Sequence, residues 1–247
     1  MSNYNASFEE IKSVELPQET ATYKPVSHEQ AVSLLADKIT ESGLTVTSSN
    51  YQLSKEGQVM SFKLIVEDQR VLEDMIQDID SITNRSQQLM FAGLNSYDKT
   101  TRLAYAAGSQ VMVCHNGMIS GKIHKLRKHT KNVFIDIRTL IDEVVVESTD
   151  IFSQNKVFAQ QLTYLHLNSY FASNILGDMV YNQKILSSNE GSKVWKEFNN
   201  STLFSKDNQW GLYNACTEVL KNTRPDIYLK KHSKVHDYFA NTCAQKF

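Results

Sequence analysis

The chain has 247 residues, of which 41% are hydrophobic and 21% are charged, a composition near the average of globular proteins that bury a substantial core. Three Pro and nine Gly are too few for a long flexible linker, so we expect one large domain or two small, closely packed ones. The net charge of -1 excludes a uniformly basic or acidic protein, and three widely spaced cysteines without a CxxC pair favour neither a disulfide framework nor a zinc ribbon.

The first predicted elements are an irregular lead-in, residues 1–26, and a helix. Two prolines in the lead-in oppose regular structure. The helix is predicted to begin at Ser27, whose side chain forms a capping box with Gln30, and to end at Gly43.

Residues 45–66 have the alternating pattern of a β-hairpin. Its turn is predicted at Lys55-Glu56-Gly57, between two hydrophobic segments. Residues 71–79 return to helical spacing, with acidic side chains on the opposite face.

A second β-rich unit is predicted to follow. We expect strands at 88–94 and 100–106, joined by the polar loop Asn95-Ser96-Tyr97-Asp98-Lys99, and a third strand at 110–114. Asn116-Gly117 is a turn signal because both residues tolerate positive φ.

The remainder of the chain is predicted to be mainly helical, at residues 134–144, 157–167, 170–183, 194–198, 210–221 and 228–240. The predicted fold class is therefore α+β, with antiparallel β-hairpins packed with helices in the N-terminal half and a mainly helical C-terminal half. We expect the lead-in 1–26, an α+β core 27–150 that holds a basic hairpin and helix region, and a helical subdomain 151–247 packed on the core.

Charge is segregated in one part of the chain. Residues 99–135 contain no Asp or Glu, whereas acidic residues outnumber basic ones in 1–98. Because a solvated surface normally mixes both signs, such a block points to a partner of opposite charge, most simply the phosphate backbone of a nucleic acid. The alternative is a basic surface that pairs with carboxylates from elsewhere in the fold or from a neighbouring subunit.

Candidate nucleic-acid-binding residues follow from this block. The residues expected to contact phosphate are Arg102, Lys122, Lys125, Arg127, Lys128, His129 and Lys131. Tyr97 and Tyr105 are candidates for stacking on bases.

Other aromatic and basic groups have simpler interpretations. Tyr164, His166 and Tyr170, near Phe171, are expected to pack in the core, with base stacking as the alternative. Trp210 and Tyr213 are expected to be core or interface anchors. The basic cluster at 230–236 is expected to be a solvated helix face, with nucleic-acid contact as the alternative.

Cysteine and histidine also occur in the basic block, at Cys114, His115, His124 and His129. These residue types bind zinc or support nucleophilic catalysis. However, adjacent strand residues point to opposite faces, and residues 124 and 129 lie about 140° apart on a helix. We therefore predict no catalytic residue, no metal site and no cofactor, with a metal-dependent hydrolase as a third hypothesis.

Four segments occur in an order that resembles a known family. They are Gly93-Leu94-Asn95-Ser96-Tyr97-Asp98-Lys99, residues 108–118, Arg127-Lys128-His129-Thr130 and residues 210–218. Together they are similar to the phage- and plasmid-borne family numbered nine-three-two among the domains of unknown function. The family pattern often has Arg near Asn95, and this chain lacks it there. The resemblance implies a mobile-element origin, which favours DNA transactions or the countering of host defence.

The leading hypothesis is a phage- or plasmid-type protein that binds nucleic acid, with single-stranded DNA favoured, and acts in annealing during recombination or replication as a homo-oligomer. β-Hairpins backed by helices also characterise RecT-like annealing proteins, which is a fold-level analogy. The alternative is a protein-interaction or anti-defence factor that forms a homo-oligomer without catalysis.

The expected location is the cytoplasm of the bacterial host, without membrane contact. The N-terminus lacks the basic start and apolar run of a signal peptide, and no stretch approaches the ~18 apolar residues of a membrane-spanning helix.

Overall fold

The computed structural model describes residues 4–67, 87–111, 116–119, 125–221 and 223–244. Its strands are β1 (Tyr4–Ala6), β2 (Thr45–Ser54), β3 (Val59–Glu67), β4 (Gln87–Ser96), β5 (Leu103–Val111), β6 (Asn116–Ile119) and β7 (Lys125–Arg127). Its helices are α1 (Phe8–Ser13), α2 (His28–Glu41), α3 (Val133–Tyr164), α4 (Ser169–Gly177), α5 (Ser188–Asn200), α6 (Gln209–Leu220) and α7 (Pro225–Ala244), and a π-helical turn, Asp178–Asn182, continues α4. The predicted α+β class is confirmed, whereas the helix predicted at 71–79 lies outside the described residues.

The described strands form one antiparallel sheet. Strands β1 to β5 lie in sequence order, and β6 and β7 both pair with the edge of β5 that faces away from β4. β6 pairs with residues 108–111 and β7 with residues 103–105. The sheet is therefore mainly a meander, in which each hairpin pairs strands that are neighbours in the chain.

The predicted α2 and the predicted first hairpin are both confirmed. Ser27 and Gln30 form the expected capping box, and Gly43 follows the helix with φ of 78°. In the β2–β3 turn, Gly57 has φ of 87°, a conformation that side chains with a Cβ rarely adopt.

Helices cover both faces of the sheet. The pleat places Leu64 and Phe91 on the face that packs against α2 and the N-terminal half of α3. Ile65 and Met90 lie on the other face, where Tyr228 of α7 covers them. The core of the N-terminal half therefore has two layers, one on either side of the sheet.

The helix α3 has 32 residues and is about 48 Å long. Its first part packs on the sheet through Ile137 and Val144, and its last part joins the helical cluster through Phe158 and Leu162. The helices predicted separately at 134–144 and 157–167 belong to this one helix, which also passes through the predicted subdomain boundary at residue 150.

The prediction of an irregular lead-in is wrong for residues 4–13, which form β1 and α1. Ser7 caps α1 and accepts a hydrogen bond from the backbone of Glu10, while the Glu10 carboxylate accepts one from the backbone of Ser7. Ile11 is buried in the core. The Ser-x-x-Glu pattern of this capping box is present in the sequence and was an available signal.

The predicted turn at Asn116-Gly117 is also wrong, because both residues belong to β6 and pair with the end of β5. The third strand was predicted to begin at Gln110, but Gln110 still belongs to β5. A Cβ on Gly117 would lie 3.0 Å from the Tyr228 hydroxyl, so the absence of a side chain lets α7 pack closely against β6.

In the helical half, the expected core role of Trp210 and Tyr213 is confirmed, since both rings are buried and stacked at 5.8 Å. The same expectation is wrong for Tyr164, Tyr170 and Phe171, which are more than half exposed.

The basic cluster at 230–236 is only partly a solvated face. Lys230 and Lys234 are exposed, but His232 and His236 are buried in the fold. Lys231 is half-buried and forms an ion pair with Glu190. The helix α7 therefore uses part of this cluster for packing.

Candidate nucleic-acid interface

The pairing of β5 with β7 brings two parts of the basic block together. Leu103 lies opposite Arg127 and Tyr105 lies opposite Lys125 in antiparallel register. Continuing this register by one residue places Arg102 opposite Lys128. Arg102 and Lys128 both have exposed side chains.

The lead-in places a lysine beside the same segment. The backbone N–H of Lys24 donates to the carbonyl of His129 at 3.4 Å, which places Lys24 beside the segment that connects β7 to α3. Lys24 is half-buried, and it lies next to Tyr23, whose ring stacks on His129 with 5.7 Å between the ring centroids.

The β4–β5 loop adds another lysine. The Lys99 ammonium lies 4.1 Å from the centroid of the Tyr23 ring, within the range of a cation–π contact. Tyr23 is buried, so its ring forms the floor between Lys99 and His129. Tyr23 and Lys24 were missed because they precede Pro25 in a segment that was interpreted as irregular.

We call Lys24, Lys99, Arg102, Lys128 and Lys131 the basic patch. Its side chains are exposed except that of Lys24, which is half-buried. Within the described part of the chain, none of these cations lies within 4.0 Å of a carboxylate oxygen. The basic patch therefore carries charge that described carboxylates do not pair.

The N-terminus of α3 lies next to the basic patch. Asn132 occupies the cap position without a side-chain hydrogen bond to the first turn, and Lys131 directly precedes it. Backbone N–H groups at the start of a helix carry partial positive charge. The helix dipole therefore adds positive potential beside the basic patch, and the carboxylate of Asp136 in the same first turn opposes it.

A carboxylate beside the basic patch, that of Asp98, is already compensated. It accepts hydrogen bonds from the Lys55 ammonium at 2.7 Å, from the Ser96 hydroxyl at 2.8 Å and from the backbone N–H of Thr100 at 3.0 Å. Partial burial raises the pKa of Asp98. The hydrogen bonds lower it by more than burial raises it, so the pKa lies well below its usual range. Asp98 therefore orders the loop that carries Lys99.

A buried polar cluster lies beneath the basic patch. The Asn95 amide donates to the carbonyl of Val26 at 2.9 Å and contacts Nδ1 of His28 at 3.1 Å. Nε2 of His28 lies 2.8 Å from the carbonyl of Gly57, so this nitrogen carries the proton and the ring is neutral. Burial lowers the pKa of His28 to about 4. The cluster ties the lead-in and α2 to β4.

His129 belongs to this buried layer, and the prediction that it binds phosphate is a poor fit to its environment. The side chain is 8% exposed, and its Nδ1 accepts a hydrogen bond from the backbone N–H of Val26 at 3.2 Å. Burial lowers its pKa to about 4, so the ring is neutral at pH 7. His129 positions the lead-in and supplies no positive charge.

The two predicted base-stacking residues are in the interior, which contradicts that role. Tyr97 is 3% exposed, and its hydroxyl accepts a hydrogen bond from the backbone N–H of His28 at 2.8 Å. Tyr105 is fully buried, and its hydroxyl donates to the carbonyl of Ala31 at 2.9 Å. Both side chains contact α2, Tyr97 from the start of the β4–β5 loop and Tyr105 from β5.

Some predicted residues are not placed in full. Lys122, Cys114, His115 and His124 lie outside the described residues, and Lys125 and Arg127 are placed by the backbone pairing of β7. Among the described residues, no three His, Cys, Asp or Glu side chains are close enough to hold a metal ion. None of the described helices is long and apolar enough to cross a membrane.

Comparison with known proteins gives one match. Residues 16–242 match the sequence model of the family described as Domain of unknown function (DUF932). No curated protein and no solved structure matches the chain.

Proposed function

Because the chain belongs to this family, whose description assigns no activity, we propose from the site itself that the protein binds the phosphate backbone of nucleic acid through the basic patch. The observation that carries the proposal is that three separate segments meet at the β7–α3 connection and carry cations that have no described carboxylate partner. Such unpaired positive charge is the electrostatic footprint of a phosphate-binding surface.

We favour single-stranded DNA as the ligand, bound by a homo-oligomer that acts in strand annealing. Two features support this part of the proposal. The order of sequence motifs resembles phage- and plasmid-borne proteins, and an antiparallel meander backed by a long helix is compatible with the RecT-like analogy.

Fluorescence anisotropy with a labelled single strand, measured over a range of salt concentrations, tests the proposal. If the five cations of the basic patch each neutralise one phosphate, the slope of log affinity against log salt is about -3.5. The triple reversal R102E/K128E/K131E makes the slope shallower by about 2 and lowers the affinity at low salt by about 100-fold or more.

A matched control separates the basic patch from the effect of net charge. K193E/K196E/K206E reverses three exposed lysines of the helical half and changes the formal charge by the same amount. The control variant should bind like the wild type, with the same salt slope. Equal affinities for the patch variant and the wild type, or equal losses in both variants, would sink the proposal.

Light scattering after size exclusion, at low and high salt with and without the single strand, identifies the competing outcome. If the basic patch contacts the acidic N-terminal region of a neighbouring copy, salt changes the oligomeric state and the oligonucleotide does not. That result would replace nucleic-acid binding with a protein-interaction function.

A further inference from the structure

An apolar groove begins where the basic patch ends. It lies between α2 and the first turns of α3, has a volume of about 550 Å³, and is lined by Gln30, Leu34, Phe134, Ile135, Arg138, Thr139 and Asp142. This volume is within the range of about 300–1,000 Å³ that is typical of small-ligand sites.

Three apolar side chains, those of Leu34, Phe134 and Ile135, line this groove. Ile135 is 71% exposed and lies on the side of α3 that faces the groove. Leu34 and Phe134 are half-buried beside it. The groove therefore offers apolar contact area that the fold itself leaves uncovered.

A direct contact joins the groove to the basic patch. The Lys24 ammonium lies 5.5 Å from the centroid of the Phe134 ring. Since Lys24 belongs to the basic patch and Phe134 to the groove, a phosphate held at Lys24 lies next to the groove. The neighbouring nucleotide of a bound strand is then close to Phe134 and Ile135.

We propose that the groove binds an unpaired base of a single strand whose phosphates lie on the basic patch. This inference rests on the proposed function and specifies the form of nucleic acid that the site takes. A flat base buries its faces against Leu34, Phe134 and Ile135, while Gln30 and Thr139 are placed to hydrogen-bond its polar edge. In a duplex the faces of each base are stacked inside the helix, so a duplex reaches the basic patch but not the groove.

The two ends of the groove differ in charge. Asp142 lies at the far end and forms an ion pair with Lys38 at 2.8 Å, and Glu41 is 3.6 Å from the same ammonium. Lys38 compensates these carboxylates, and Arg138 also lines the groove, so this end carries little net charge, whereas the cation of Lys24 attracts a phosphate at the other end. A strand is therefore expected to reach the groove from the end at Lys24.

The test compares three probes of equal length by fluorescence anisotropy. They are a thymidine oligonucleotide, a strand of the same backbone in which every base is absent, and a DNA duplex. We expect the thymidine strand to bind at least about fivefold more tightly than the abasic strand, because base contacts on apolar and aromatic side chains add affinity that phosphates alone do not.

A pair of variants on α3 assigns this difference to the groove. I135S removes the exposed apolar contact, and V146S makes the same kind of change at Val146, which is 77% exposed and outside the groove. We expect I135S to lower thymidine-strand affinity about fivefold and to leave the affinity for the abasic strand unchanged. V146S should match the wild type with all three probes.

The outcomes separate this inference from the proposed function. Equal, salt-dependent binding of the thymidine and abasic strands overturns the groove and leaves the basic patch in place. Binding of none of the three probes overturns both. If I135S changes the oligomeric state in light scattering without changing thymidine-strand affinity, a second copy of the chain occupies the groove and the inference is wrong.

Discussion

Protonation of His28 is expected to destabilise the protein in mild acid. The ring is fully buried, stacks on Tyr97 at 4.0 Å, and contacts the Asn95 amide with Nδ1. A proton on Nδ1 would face the amide donor, so the folded state resists protonation. Burial is the main cause that lowers the pKa of His28 from 6.5 to about 4, and the nearby His129 lowers it further.

The sign and size of the effect follow from proton linkage. Between pH 6.5 and 4 the unfolded chain carries a proton on residue 28 and the folded chain does not, so acid favours unfolding. The contribution of His28 is fully present above pH 6.5 and is lost as the pH falls towards 4. The loss is about 2 kcal/mol at pH 5 and about 3 kcal/mol at pH 4.

Urea unfolding followed by circular dichroism at pH 7 and pH 5 measures this loss. The variant H28Q should lose about 2 kcal/mol less than the wild type over this interval, because residue 28 no longer titrates. H166Q is the matched control, since His166 is exposed, and it should follow the wild type. If H28Q and the wild type lose the same free energy of unfolding between the two pH values, the linkage assigned to His28 is refuted.

Three further predictions concern the surroundings of the site and the helical half. Y105F removes one buried hydrogen bond and should lower the free energy of unfolding by about 1 kcal/mol without changing oligonucleotide affinity, whereas a loss of affinity would restore Tyr105 as a stacking residue. G211A places a Cβ 1.8 Å from the carbonyl oxygen of Ser205, so the free energy of unfolding should fall by about 1–3 kcal/mol or more. Thermal unfolding measures this change, and an unchanged melting temperature would contradict the packing. K55M removes the ammonium that contacts Asp98, so NMR titration should show a higher pKa for that carboxyl group than in the wild type, and an unchanged pKa would show that the remaining hydrogen bonds suffice.

The features that could be predicted from the sequence are those that depend on nearby residues. The capping box of α2 joins Ser27 to Gln30, and the β2–β3 turn depends on adjacent residues that include Gly57. The same kind of local signal existed for α1 at Ser7 and Glu10, ahead of the two prolines that led the whole lead-in to be interpreted as irregular. Short-range hydrogen bonds of this kind are encoded in the sequence pattern itself.

The features that could not be predicted depend on residues far apart in the chain. His129 is buried because the backbone of Val26, 103 positions away, donates to it, and Asn95 reaches the same backbone across 69 positions. Because both side chains are polar, the sequence pattern indicated a loop or a phosphate contact. The pattern does not show which distant group forms a hydrogen bond with a buried polar side chain. The basic block stays a prediction as a phosphate-binding segment, while His129, Tyr97 and Tyr105 support its surface from within.

The way the basic patch is assembled also determines when a growing chain acquires it. The sheet hairpins join neighbouring strands and need little chain to form, whereas the basic patch needs the lead-in, the β4–β5 loop and the β7–α3 connection together. A nascent chain on the ribosome, surrounded by RNA, lacks this combined surface until residue 131 has left the exit tunnel. Under the proposed function, a bound phosphate strand would stabilise the junction of these segments in the folded chain by mass action, so occupancy of the site and integrity of the fold would reinforce each other.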